Sequence, residues 1–161
     1  MEQPIHFYNQ HGEKLAGSLH LPKQHNGCGV VFGHCFTCTR HTRIIRETCD
    51  ALAADNFLAL RFDFSGNGQS EGEFSKSTYS KQVAEMQEAS GVILKKGVRR
   101  LGLAGHSMGA VIAVLTTARI GTAKAVCTLA GRLTGLNASN FFSRHQIKEL
   151  EDTGLGPATP T

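Results

Sequence analysis

The 161-residue chain lacks any apolar run approaching the roughly 18 residues that a membrane-spanning helix needs. Its opening residues, Met1-Glu2-Gln3-Pro4-Ile5-His6, carry neither the basic nor the apolar region of a secretory signal. Both absences point to a soluble, cytoplasmic protein without membrane contact. Proline is scarce, at 4 residues, and the 18 glycines follow no period, which excludes a collagen-like or fibrous chain. Charge of one sign is also scarce. The net charge of +4 is spread thinly, and the single basic cluster, Lys95-Lys96 with Arg99-Arg100, has no aromatic or glycine-rich partner beside it. It reads as a solvated helix end, and no nucleic-acid partner is expected. Five cysteines is an odd number, and without an export signal it argues against a disulfide framework. No internal repeat or linker is visible. With 40% hydrophobic residues, the chain can build one core.

Alternation organises the sequence. Residues 5–9 and 14–21 are strand-like runs around Gln10-His11-Gly12, a hairpin signal. Residues 28–32, 57–62, 100–104 and 123–129 read as further strands. Between them, residues 43–55 and 78–94 place apolar side chains three or four apart, as one face of a helix does. Residues 108–120 are apolar almost all round, which predicts a deeply buried helix. Residues 140–152 read as a last amphipathic helix carrying Phe141, Phe142, Ile147 and Leu150, and residues 154–161 as a disordered tail. A hairpin followed by strand–helix alternation implies an α/β fold, a mostly parallel sheet with helices on both faces. Chemistry in such sheets gathers on loops at the carboxyl ends of the strands, here the loops starting at Gly33, Asp63, Gly105 and Ala130.

The pattern Gly-x-Ser-x-Gly occurs twice, at Gly105–Gly109 and at Gly68–Gly72. A nucleophile elbow needs a strand running into the serine and a helix leaving it. Ser107 has both, whereas Ser70 is followed by loop residues and reads as a turn. The start of the 108–120 helix offers unpaired amides and the positive end of a dipole to a developing oxyanion. Met108 N–H is one candidate donor. The second comes from the loop after the 28–32 strand, where Phe36 or Cys35 N–H is the candidate. Asp63 reads as a cap of the Gly66/Gly68 turn rather than as a catalytic acid. His106 reads as a structural residue of the elbow, and His6, His11, His20 and His25 as surface residues.

Gly105-His106-Ser107-Met108-Gly109, with His34 after the third strand and Asp63 to Gly72 after the fourth, resembles the α/β-hydrolase superfamily, in its serine aminopeptidase or acyl-hydrolase branch. The segment from His34 to Cys38, followed by that from Phe62 to Gly72, is further similar to hydrolases often fused to an osmotically inducible peroxidase-like domain. The resemblance covers about residues 5 to 153, taken as one hydrolase domain, 1–153. It implies the strand order 1-2-4-3-5-6, Ser107 as nucleophile, Met108 and Phe36 as oxyanion donors, His34 as part of the oxyanion loop, and no cofactor. Many relatives have His-Gly where this chain has His34-Cys35.

His34-Cys35-Phe36-Thr37-Cys38-Thr39-Arg40-His41 admits three readings: plain loop structure with packed cysteines, a thiol-redox pair at Cys35 and Cys38, or a zinc site. Four ligands within eight residues are cramped for tetrahedral zinc, and no metal is expected. A serine also needs an oriented base. The family order is serine, acid, histidine, yet no Asp or Glu lies between Ser107 and His145, the only histidine after it. His145 is therefore the one candidate base in that direction, although its spacing from Glu149 makes a surface pair equally well. The family resemblance implies further strands carrying acid and base, so the chain reads as a hydrolase lacking its last strands. It is expected to act on small esters or amides, or to serve as a non-catalytic binding module. The 123–129 strand, left as an apolar edge, is expected to pair with a second copy of the chain.

Overall fold

In the computed structural model, residues 1–131 are described. Six strands form one sheet in the order β1-β2-β4-β3-β5-β6. They are β1 (Glu2–Tyr8), β2 (Lys14–His20), β3 (Cys28–Gly33), β4 (Leu58–Phe62), β5 (Arg100–His106) and β6 (Ala125–Leu129). The first two make the expected hairpin, β2 runs antiparallel to β4, and β4, β3, β5 and β6 are parallel. Three helices connect the parallel strands: α1 (Arg43–Ala54), α2 (Tyr79–Leu94) and α3 (Met108–Ile120). The alternation in sequence thus becomes the architecture it implies, in the strand order that the resemblance implies.

Alternate residues along the strands divide the core. Val31, Leu60 and Leu103 face Met86, Ile93, Ile112 and Ala113 of α2 and α3. Their chain neighbours Phe32, Ala59 and Ala104 face Ile45 and Cys49 of α1. Strand side chains point to opposite faces with a period of two, so the central strands are buried on both sides. Burial pushes the Cys49 thiol up to about 12, so it packs as an inert hydrophobe. Helix α2 starts where Thr78 accepts a hydrogen bond from the Lys81 N–H at 3.2 Å.

Three expectations change. Helix α3 is not buried all round: Val114 and Leu115 are exposed, because the sheet and α2 cover only one side of it. Phe74–Lys76, read as plain loop, forms a 3₁₀ turn. His20 is not a surface residue. Strand β2 lies between β1 and β4, and its side chain is buried against Arg61 Nε at 2.8 Å and Asp50 at 2.9 Å. Strand β6 pairs with β5 alone among the described residues and is largely exposed. No helix among these residues is long and apolar enough to cross a membrane. The expected 140–152 helix, with Phe141 and Phe142, lies outside the described residues, as does the expected tail.

Candidate active site

Strands β3 and β5 are parallel neighbours, and Gly33 pairs with Gly105. The loops leaving their carboxyl ends therefore start side by side. Ser107 sits between β5 and α3 with φ +54° and ψ −113°. A left-handed φ in a residue with a Cβ is strained, costing of the order of 1–3 kcal/mol, and persists only where its surroundings enforce it. Here they do. Ser107 N–H donates to Leu129 O on β6 at 2.8 Å, and Ser107 O accepts from Ala110 N–H at 3.1 Å. The flanking glycines allow the backbones to close in. A Cβ on Gly105 would overlap the backbone of Gly109, and one on Gly109 would overlap the Gly33 carbonyl and lie 2.6 Å from His34 O. The first turn of α3 thus touches the start of the β3 loop. Gly109→Ala is expected to cost about 3 kcal/mol in urea denaturation, at the upper end of overpacking effects. An unchanged midpoint would refute this packing.

Met108 is buried as the first residue of α3, where a helix leaves its N–H groups without intrahelical partners. Phe36 lies in the β3 loop, and no backbone carbonyl among the described residues accepts from its N–H. Its ring is exposed and meets Phe74 edge-on at 4.9 Å. His34 is fully buried, its ring against Phe64. Its Nε2 accepts from Phe64 N–H at 3.0 Å, which fixes the other nitrogen as the donor to Cys35 O at 2.7 Å. His34 therefore ties the loops after β3 and β4 together as a neutral imidazole, and is no free base. His106 keeps its Nδ1 buried without a partner among the described residues.

The cysteine loop differs from its plainest reading. Cys35 and Cys38 are joined in a disulfide, with Cα atoms 5.2 Å apart, within the usual span for such a bond. The chain thus has one short-range bridge, though no framework: Cys28 and Cys49 are buried thiols and Cys127 an exposed one.

Asp63 is fully buried and caps a loop, as its setting implies. It accepts from Arg40 N–H at 2.6 Å, from Gln69 N–H at 3.0 Å and from the Arg40 guanidinium. Ser70, the second motif serine, donates to Asp63 O at 2.6 Å and accepts from Ala16 N–H at 2.9 Å, which makes it a structural turn residue. Arg40, Arg61 and Glu85 escape the sequence reading, yet all three are buried. Arg61 reaches His20, Arg40 O at 2.5 Å and Glu2 at 2.6 Å. Glu85 accepts from Ser65 N–H at 3.1 Å and from Asn9 at 2.9 Å, fixing the loop after β4 from below. A charged residue inside an apolar run, as at Arg61 and Glu85, is a signal that could have found two of them.

Burial lowers the pKa of both His34 and His20 below the ordinary histidine value, with Arg61 adding to the effect at His20. The folded state then keeps both rings neutral while the unfolded chain takes up protons below about pH 6.5. Their contribution is whole above that pH and is lost as pH falls below it. The thermal midpoint is expected to drop between pH 7.5 and pH 5.5, and a flat profile would refute neutral burial of these rings.

No side chain among the described residues hydrogen-bonds Ser107 Oγ. His145, Glu149, Glu151 and Asp152 lie outside them. The structure sets Ser107 and Met108 beside the start of the β3 loop at Gly33 and His34, at the carboxyl edge of the sheet, with Phe36 two residues further along that loop.

The family model described as serine aminopeptidase, S33, matches residues 30–149, most of the chain. The chain belongs to this hydrolase family. No curated protein sequence matches it. Solved structures agree on the fold. The alpha/beta hydrolase GrgF from Penicillium sp. sh18 superposes with a TM-score of 0.80 at 18% identity, over 98% of this chain and 57% of its own. XC6422 from Xanthomonas campestris, described as an α/β serine hydrolase without a lid, has a TM-score of 0.75 at 17% identity, over 86% and 65%. Est1E from Butyrivibrio proteoclasticus, solved with ferulic acid bound, has a TM-score of 0.72 at 26% identity, over 83% and 59%. The chain thus spans between 57% and 65% of the length of these three proteins.

Proposed function

We propose that this chain carries the nucleophile and oxyanion pocket of a serine hydrolase acting on small carboxylic esters or amides. One observation carries the reading: Ser107 is held at φ +54° where a strand turns directly into a helix, an arrangement that lifts a hydroxyl clear of the sheet. In the reaction, Ser107 Oγ attacks the acyl carbonyl and its proton passes to a base. The charge that develops on the carbonyl oxygen is met by Met108 N–H and Phe36 N–H. The acyl-serine then yields to water. His34 acts through Phe36, by fixing the Cys35 carbonyl one residue earlier. The ferulic acid held by Est1E supports an acyl compound as the class of ligand. His145 is the candidate base within this chain. The competing reading, a non-catalytic binding module, draws on the absence of a base hydrogen-bonded to Ser107 among the described residues.

A fluorophosphonate probe separates the two, because it reacts only with an activated serine. The expected result is a single adduct, mapped to Ser107 by peptide mass spectrometry. An unlabelled chain, or an adduct at Ser70, would overturn the hydrolase reading.

A further inference from the structure

The loop between β3 and α1 is held firmly at its two ends. At one end, His34 is buried and bonded to Phe64 N–H and Cys35 O. At the other, Arg40 is buried and clamped by Asp63, with Arg61 on its carbonyl. Between these anchors the backbone has one internal hydrogen bond, Cys38 N–H to Cys35 O at 3.2 Å, and one covalent tie, the Cys35–Cys38 disulfide. Phe36 lies inside the ring that the disulfide closes. Its amide thus belongs to a segment that this bond constrains, together with the His34 bond to Cys35 O. Both cysteines are only half-buried, and thiol–disulfide exchange depends on access to the sulfur that is attacked.

We propose that Cys35–Cys38 is a reversible dithiol–disulfide site that holds the oxyanion loop in shape and is opened by a dithiol. A thiolate of the dithiol attacks one sulfur, the Cys35–Cys38 bond breaks, and a mixed disulfide forms. The displaced cysteine thiolate takes up a proton. The second thiol of the reactant then resolves the mixed disulfide, leaving both cysteines as thiols and the reactant oxidised, with two electrons and two protons transferred. Without the ring, the Cys35–Phe36 peptide keeps only its carbonyl bonds from Cys38 N–H at 3.2 Å and from His34 at 2.7 Å, with the Phe74 ring beside Phe36. Losing one oxyanion donor outright costs about 10²–10³ in rate. Loosening one is expected to slow the reaction of Ser107 about tenfold. This effect on rate rests on Ser107 being the nucleophile; the exchange chemistry of the loop does not.

The test uses the full chain, reduced with dithiothreitol or oxidised with diamide, with three readouts. Alkylation with N-ethylmaleimide followed by peptide mapping should find Cys35 and Cys38 blocked in the oxidised chain and both modified after reduction, while exposed Cys127 reacts in both. Chymotrypsin should cut after Phe36 faster in the reduced chain. Fluorophosphonate should label Ser107 about tenfold more slowly in the reduced chain, and the C35S/C38S variant should label slowly with or without dithiothreitol. Alkylation of Cys35 and Cys38 in the oxidised chain, or equal cleavage after Phe36 in the two states, would overturn the proposal. Equal labelling of the two states would overturn the rate effect. Absence of labelling in both would overturn the hydrolase reading instead, leaving alkylation and cleavage to decide the loop.

Discussion

Replacing Ser107 by alanine should abolish fluorophosphonate labelling and lower the rate of activated-ester hydrolysis by at least about 10³-fold. The residue that remains is the 10³–10⁴ over water that an oxyanion pocket and binding supply without a nucleophile. A second variant tests the geometry apart from the chemistry. Ser107 is held at φ +54°, a value that costs residues with a Cβ and that glycine adopts freely. Ser107→Gly should therefore be as inactive as the alanine variant, yet about 1 kcal/mol more stable in urea denaturation. That pairing, activity lost and stability gained, is the signature of strain kept for function. A glycine variant that is less stable than the parent would mean that Ser107 is an ordinary turn residue. Retained labelling in the alanine variant would place the reactive group elsewhere.

The second large effect lies in the support of the site. Asp63 is fully buried and takes a hydrogen bond from the Arg40 amide and another from its guanidinium. Arg40→Met keeps the amide bond and much of the volume but removes the charge. A buried carboxylate left without its cation costs about 3–5 kcal/mol, whereas the pair itself contributes far less. Arg40→Met should lower stability by that amount in urea, and Arg40→Met with Asp63→Asn should recover much of it. The recovery matters because it separates lost packing from an uncompensated charge: independent sites would simply add. A loss under about 1 kcal/mol, or no recovery in the double variant, would refute the ion pair as the clamp of the loop.

Much of this was legible in the residues. The strands and helices followed from apolar spacing, since a period of two or of three to four is imposed by backbone geometry. The elbow at Ser107 could be told from the decoy at Ser70 because only one of them had a strand before it and a helix after it. Asp63 could be read as a turn residue from the glycines that follow it. What local pattern could not reveal was which distant groups meet. His20 looked like a surface residue on an edge hairpin, yet the sheet order brings Arg61 and Asp50 to it from 41 and 30 residues away. Nothing along the chain marks Arg40, whose partner Asp63 lies 23 residues on.

By itself, then, the sequence determined the alternation of elements, the position of the elbow and the small residues that a close turn demands, because these depend on neighbours along the chain. Only the tertiary structure decided that His34 is a locked, neutral brace, that Arg40 and Asp63 clamp the loop between β3 and α1, and that Cys35 and Cys38 are bonded across Phe36. Those outcomes depend on which side chains lose water together, and on the partners that the parallel sheet sets beside them once they have.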